Sequence, residues 1–513
     1  MSIKNVLEPA FAQLTRRRTL QLLATAPILP MISGCSGAAS GSSTTPPVNP
    51  APGTPTVATA GSAVSIPYPL YGLNTGDNLS SHMSDTGFLP AVTQLGPSIM
   101  RYPGGNSAGW FDISTGSLLT NPTYAPVSEV LSFNSPAFTF SVLSQILTAA
   151  SGKATIVLNL LQGNMASQVA ALQAAASIVP IERVELGNEL YLSGLSGLNQ
   201  YQTTFPTTAS YATTANAYAK AIKTVLPLAK IGVCADTTPS GSSSRETNWN
   251  SQLLPLLQGI DAIICHDYQN PASKPFTGSS ASSDNAALAA PGGPPSIFQE
   301  AVTARTQIQA AAATFNGFEV WVTETNLRDT VGGIAGTWAH GLYVAYMQLL
   351  LLEVPSIKQA LIHALHSGSE YEESHASSGS FPGSTVAYAQ NGLSASGYTS
   401  LFVFRAARNN TTAQPLNFNE NPSQVAASGG TSTSLYGWTF GNNATCVLLN
   451  LSPDTYSASF NSSTLFNGTA YQQLSGSPAG YVGTVTGLTT TSGTYSPSTG
   501  ISLPPYSITY IGS

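Results

Sequence analysis

The chain has 513 residues, of which 8% are charged, and a net charge of −6. That length exceeds one ordinary core and calls for two folded domains with processed or flexible ends, while the sparse, mildly acidic charge excludes a nucleic-acid binder, which would carry a basic stripe. Gly, Pro, Ser, Thr and Asn are abundant, so hydroxyls and amides keep the surface soluble, a composition that suits an exported protein.

Residues 1–35 place Arg16, Arg17 and Arg18 before a short apolar stretch broken by Pro27 and Pro30 and closed by small residues and Cys35. The stretch is too short and too interrupted for a membrane-spanning helix and reads as a signal segment. The arginines followed by Thr19 and Leu20 resemble a twin-arginine signal, and Ile32-Ser33-Gly34-Cys35 resembles a bacterial lipobox. Together they imply acylation at Cys35, export in a folded state, and a protein lipid-anchored in the bacterial cell envelope or released outside it. Residues 36–60 lack periodicity and cannot bury enough surface to offset their ordering entropy, so they read as a tether. With Cys35 removed, Cys234, Cys265 and Cys446 remain, an odd number at wide spacing that indicates neither a disulfide framework nor a zinc site.

Eight apolar runs follow: Val64–Leu73, Ser98–Tyr102, Ala154–Leu160, Val184–Leu186, Ile231–Ala235, Ala262–Cys265, Val320–Thr323 and Ala360–Ala364. They are continuous rather than alternating, as in strands covered on both faces, and patterns of helical period separate several of them, clearest in Tyr211–Leu228, Phe298–Phe315 and Trp338–Leu352. Eight strand-to-helix units predict a (β/α)8 TIM barrel over residues 61–408, with an open doubly wound sheet as the alternative. The Ser-, Ala- and Pro-rich stretches Pro271–Pro295 and Gly368–Ala395 follow the sixth and eighth strands and read as long loops on the C-terminal face. Over residues 409–513 short alternating runs are punctuated by turn residues, which predicts a C-terminal antiparallel β-sandwich.

Two glutamates stand at strand ends: Glu189 closes Glu185-Leu-Gly-Asn-Glu189 after the fourth run, and Glu324 closes Val320-Trp-Val-Thr-Glu324 after the seventh. A carboxylate at the end of an apolar strand needs partners or a task. Retaining glycoside hydrolysis needs two carboxyl groups about 5 Å apart, one to protonate the leaving oxygen and one to attack the anomeric carbon, and facing strand ends of a barrel supply that. The structural alternative pairs these glutamates with arginines such as Arg183 or Arg328. Glu185 shares a side with Glu189 but lies deeper and reads as a buried, satisfied residue; His363 and His366 on the eighth run read as structural, and Trp110 as either core or a stacking platform. His266 and Tyr268, two apart in the sixth run, point to one face.

Three further phrases, Arg101-Tyr-Pro-Gly-Gly-Asn106, His266-Asp-Tyr268 and the terminal Leu503-Pro-Pro-Tyr-Ser-Ile-Thr-Tyr510, stand beside the Gly-Asn-Glu phrase in an order similar to family 79 of the clan A retaining glycoside hydrolases, the β-glucuronidase and heparanase group. The resemblance runs from about residue 64 to the C-terminus. It implies that Glu189 is the acid/base and Glu324 the nucleophile, that Asn188 holds the sugar 2-hydroxyl, that Arg101 and Tyr268 support Glu324, and that His266 and Asn106 contribute to sugar binding. It implies an oligo- or polysaccharide or other glycoside substrate and no metal or cofactor. The pattern departs from the family at Leu190, where proline is usual, and offers only Arg328 and Lys274, by position, as clamps for a glucuronate carboxylate. An α-L-arabinofuranosidase or β-xylosidase of the same clan is the alternative enzyme, and a non-catalytic carbohydrate-binding lipoprotein the alternative of another class.

Overall fold

A computed structural model describes residues 55–238, 244–271, 297–329, 332–366, 372–381, 384–418, 435–460 and 465–512. The signal segment with Cys35, most of the tether, and the stretch containing Lys274 lie outside the described residues.

Eight parallel strands close a barrel: β1 (Tyr71–Asn74), β2 (Ile99–Tyr102), β3 (Lys153–Leu158), β4 (Ile181–Leu186), β5 (Lys230–Cys234), β6 (Ala262–Gln269), β7 (Glu319–Leu327) and β8 (Ile357–Ile362), with β8 pairing back onto β1. All eight overlap the predicted runs. Their outward side chains, such as Val184, Val233, Ile263, Cys265, Val320 and Val322, join the main core against the surrounding helices, which is why the runs lack polar alternation. Inside the barrel, Trp321 packs on Ala262 and Ile264, and the missing side chain of Gly232 leaves room for its ring, since a Cβ there would stand 2.8 Å from it. Arg183 sits over the same ring at 5.7 Å and donates to the carbonyls of Pro69 and Lys358. It is therefore a plug at the barrel floor and not a partner of either strand-end glutamate.

The helix Trp338–Leu350 is buried along its whole length. It reads as apolar nearly all round because it has two covers: the barrel on one side and the sandwich on the other, where Trp338 donates to the carbonyl of Tyr506 at 2.6 Å and Tyr346 meets Tyr436 edge to face at 5.0 Å.

The second layer system is a ten-stranded sheet curled around its own core of Leu416, Leu448, Tyr456, Phe460, Ile501 and Ile511. It is antiparallel but for one pair, and that pair corrects the predicted boundaries. Pro55–Ala60, assigned from composition to the tether, is a strand lying antiparallel to Thr412–Phe418 and parallel to Tyr456–Phe460. Val64–Ser65 also belongs to this sheet, pairing with Thr412 and Ala413, so the predicted first run splits and the barrel strand begins only at Tyr71. Backbone hydrogen bonds to strands more than 350 residues away in sequence stabilise Pro55–Ala60, with Ala58 buried between them. No local pattern reports such pairing.

Candidate active site

The site lies at the C-terminal end of the barrel strands, where a (β/α)8 fold displays side chains from several strands at once. Glu189 stands three residues beyond β4. Gly187 turns the chain out of the strand at φ +92, and Glu189 itself is held at φ +48, a left-handed conformation that a side chain adopts only under constraint. Its carboxylate Oε1 accepts from the Tyr191 hydroxyl at 3.3 Å and lies 3.1 Å from Nδ1 of His266. Its side chain is 20% exposed, against 7% for Glu324.

Glu324 is inside β7 rather than after it, because β6 and β7 both run further than predicted. The register between them shifts: Cys265 faces Val322, but His266 faces Glu324. The extra residue, Thr323, is a bulge, and such an insertion re-aims the side chains that follow. Strict alternation from the inward Trp321 would turn Glu324 out toward the helices; the bulge returns it to the barrel mouth.

There Glu324 accepts from Arg101 Nη1 at 2.5 Å and Asn74 Nδ2 at 3.3 Å on one oxygen and from the Tyr268 hydroxyl at 2.7 Å on the other. Burial alone would push its carboxyl up, but the charges of His266, Arg101 and His363 and the Tyr268 hydrogen bond outweigh it and hold the group well below the usual carboxylate range. These contacts thus favour the anionic form of Glu324. Arg101, fully buried at the end of β2, spends its other donors on Glu185 Oε2 and on Asn188 Oδ1, each at 2.8 Å. One guanidinium therefore fixes the deep carboxylate, the amide before Glu189, and Glu324. Asn188 continues to Asn106 Oδ1 at 3.4 Å, and Asn106 to Glu129 at 3.3 Å.

His266 lies between the two glutamates, 3.8 Å from Glu324 Oε2. Burial lowers its pKa, but Glu324 and the hydrogen bond to Glu189 outweigh this and raise it above the usual imidazole value. One donor atom each of Glu189, His266 and Glu324 falls within 4.8 Å of the others. These are donor types a divalent cation accepts, and both oxygens of Glu324 already accept hydrogen bonds, from Arg101, Asn74 and Tyr268. The same distance brings a carboxylate oxygen of Glu189 within 4.8 Å of one of Glu324, in the range of retaining pairs, whose carboxyl groups stand about 5 Å apart, and short of the inverting separation of at least about 6.5 Å.

Each described residue singled out for the site, Glu189, Glu324, Asn188, Arg101, Tyr268, His266 and Asn106, belongs to this network. His363 corrects the structural reading: its Nδ1 is 3.0 Å from Asn74 Nδ2 and 3.9 Å from Glu324, and its ring meets Tyr268 edge to face. His366 packs instead against Phe88 and His82. Trp110 is fully buried and donates to the Tyr124 carbonyl, so it is core. Arg328 is exposed. Sequence reasoning missed Asn74, Tyr191 and Glu129. Asn74 was findable, since it ends β1 as Arg101 approaches the end of β2; Tyr191 lies in a turn and Glu129 at the start of the short 3-10 helix Ser128–Asn134, and neither segment carries a pattern.

Gly104 has φ +79, and a Cβ there would stand 1.9 Å from Asn74 Oδ1. Gly104→Ala is expected to displace Asn74 from Glu324 and lower kcat/KM about tenfold or more, as misplacement near the reacting atoms does; steady-state kinetics with a matched unfolding curve checks it.

No protein-family model and no curated protein matches this chain. Solved structures do. The chain is similar to an α-L-arabinofuranosidase from Thermotoga maritima, with TM-score 0.59 and 13% identity over 89% of this chain and 99% of that one. It is also similar to a family 51 α-L-arabinofuranosidase from Bifidobacterium longum, with TM-score 0.61 and 14% identity over 90% and 99%. A 4-O-α-L-rhamnosyl-β-D-glucuronidase from Fusarium oxysporum matches with TM-score 0.58 and 14% identity over 90% and 100%. The likeness spans barrel and sandwich together and establishes the fold.

Proposed function

We propose that this chain is a retaining glycoside hydrolase of the clan A type. The observation that carries the reading is the approach of Glu189 and Glu324 to within 4.8 Å across the barrel mouth, one of them held as an anion by Arg101 and Tyr268. In the first step Glu324 attacks the anomeric carbon while Glu189 passes a proton to the departing oxygen, leaving a glycosyl ester on Glu324. In the second, Glu189 takes a proton from water, the water oxygen bonds to the anomeric carbon, and the ester breaks to restore both carboxyl groups. The resemblance supports Asn188, whose Oδ1 accepts from Arg101, as the residue that holds the sugar 2-hydroxyl.

The resemblance of the Arg101 and His266 phrases supports β-glucuronides as substrates, as does the fold shared with a glucuronidase. An α-L-arabinofuranoside or β-xyloside is the second reading. It is favoured by the commitment of Arg101 to Glu185, Asn188 and Glu324 and by the Glu129 carboxylate beside Asn106, which put negative charge where a uronate would bring more. Wild type assayed on aryl β-glucuronide, β-xyloside and α-L-arabinofuranoside separates the two, and proton NMR of the first-formed sugar should show the anomeric configuration of the substrate. Inversion, or turnover of none of the three, would remove the double-displacement reading. The N-terminal segment supports export and anchoring through Cys35; palmitate labelling lost in Cys35→Ser is the expected result.

A further inference from the structure

A single arginine outside the reacting set grips the turn that carries Glu189. Arg245, in the helix Ser244–Leu253 that follows β5, donates from Nη2 to the carbonyl of Leu190 at 2.6 Å and from Nε to those of Tyr191 at 3.0 Å and Leu192 at 3.2 Å. Its Nη1 donates to the carbonyl of Phe205 at 2.6 Å. Within the turn, the Leu192 amide donates to the carbonyl of Glu189 at 3.0 Å. Those carbonyls would otherwise lose hydrogen bonds as the chain leaves the strand in a left-handed conformation.

The guanidinium is itself seated. It lies 4.7 Å from the ring centroid of Trp249, which is fully buried and donates to the carbonyl of Cys234 at the end of β5 at 2.8 Å. A chain of contacts thus runs from β5 through Trp249 and Arg245 to the Leu190–Leu192 backbone. From there the Tyr191 hydroxyl returns to Glu189 Oε1. A planar, permanently charged fork can hold several carbonyls in one geometry, which a lysine ammonium on a flexible stem cannot reproduce.

We propose that Arg245 is a positioning residue for the acid/base: it does not touch the sugar but fixes the turn that aims the Glu189 carboxyl at the leaving oxygen. The proposal rests on the retaining-hydrolase reading of the site. It also sets a signature that mere destabilisation would not produce. Proton donation matters when the leaving group is a poor one and hardly at all for an activated aryl oxygen, so loss of aim must depend on the leaving group.

The test compares full-length wild type, Arg245→Lys, Arg245→Gln and Glu189→Ala on aryl glycosides of one accepted sugar, from dinitrophenyl to unsubstituted phenyl, with melting temperatures recorded for each. Cleavage-step rates of Arg245→Gln are expected to fall about 10- to 100-fold on the phenyl glycoside, and by less than about threefold on the dinitrophenyl one, with Arg245→Lys between. An equal loss across the series in a folded variant, or no loss at all, overturns the proposal while leaving the reading of Glu189 and Glu324 intact. If Arg245→Gln does not fold, Arg245→Lys decides by the same comparison. Wild type inactive on every sugar, or Glu189→Ala equally impaired on all leaving groups, would instead refute the underlying assignment.

Discussion

Glu324→Gln is expected to lower kcat by about 10⁴-fold or more on every substrate, including those with activated leaving groups, because in the proposed double displacement the amide cannot form the glycosyl ester on which both steps depend. The substitution is nearly isosteric. Its steric cost is therefore small, and the melting temperature should change far less than the rate. Glu189→Ala is expected to behave differently: cleavage of activated aryl glycosides survives, hydrolysis of the ester becomes slow, and azide restores turnover by attacking the anomeric carbon without needing a base. A glycosyl azide that keeps the substrate's anomeric configuration would identify the product of that rescue. If azide restored Glu324→Gln and not Glu189→Ala, the two roles would have to be exchanged.

Arg101→Met is expected to destabilise the barrel strongly. Arg101 is fully buried between Glu185 and Glu324, and removing one member of a buried ion cluster typically costs about 3–5 kcal/mol because the remaining charge is left uncompensated. The pH dependence should become shallower. In wild type the Glu324 carboxyl is held below its unfolded value, so its contribution to stability is present above the usual carboxylate range and is lost as pH falls through the depressed value. Without Arg101, burial is opposed only by the charges of His266 and His363 and the Tyr268 hydrogen bond, so the Glu324 carboxyl rises toward its unfolded value and less stability is lost as pH falls. Urea unfolding of both proteins between about pH 4 and pH 7 tests this, and parallel curves would refute it. Activity should fall about 10²- to 10³-fold, the cost of removing a preorganised electrostatic partner at a reacting group.

Much of the site was legible in the chain because strand ends are legible. Val184, Leu186, Val320 and Val322 are apolar since they pack in the core against the surrounding helices, and a carboxylate just beyond or within such a strand is conspicuous on solvation grounds alone. Arg101, His266 and Tyr268 were singled out instead by the resemblance of their phrases to a known family, with the two-residue spacing of His266 and Tyr268 placing that pair on one face. Legibility fails for Tyr191 and Glu129 at the site and for Arg245 behind it, which come from a turn and from the first residues of two helices, where no periodicity marks a functional position. It fails again for Pro55–Ala60, whose Thr-, Ala- and Pro-rich composition reads as tether while its backbone completes a sheet between partners distant in sequence.

By itself the sequence determined the barrel, the sandwich and the identity of the two strand-end glutamates, because burial on both faces of a strand and exposure at its end write themselves into residue type. Only the tertiary structure decided where those glutamates point. The bulge at Thr323 reverses the alternation that would have turned Glu324 outward, and the left-handed turn at Glu189 is braced by carbonyl contacts to Arg245. Both depend on hydrogen bonds between segments far apart in the chain, and such bonds leave no local signal for a pattern to carry.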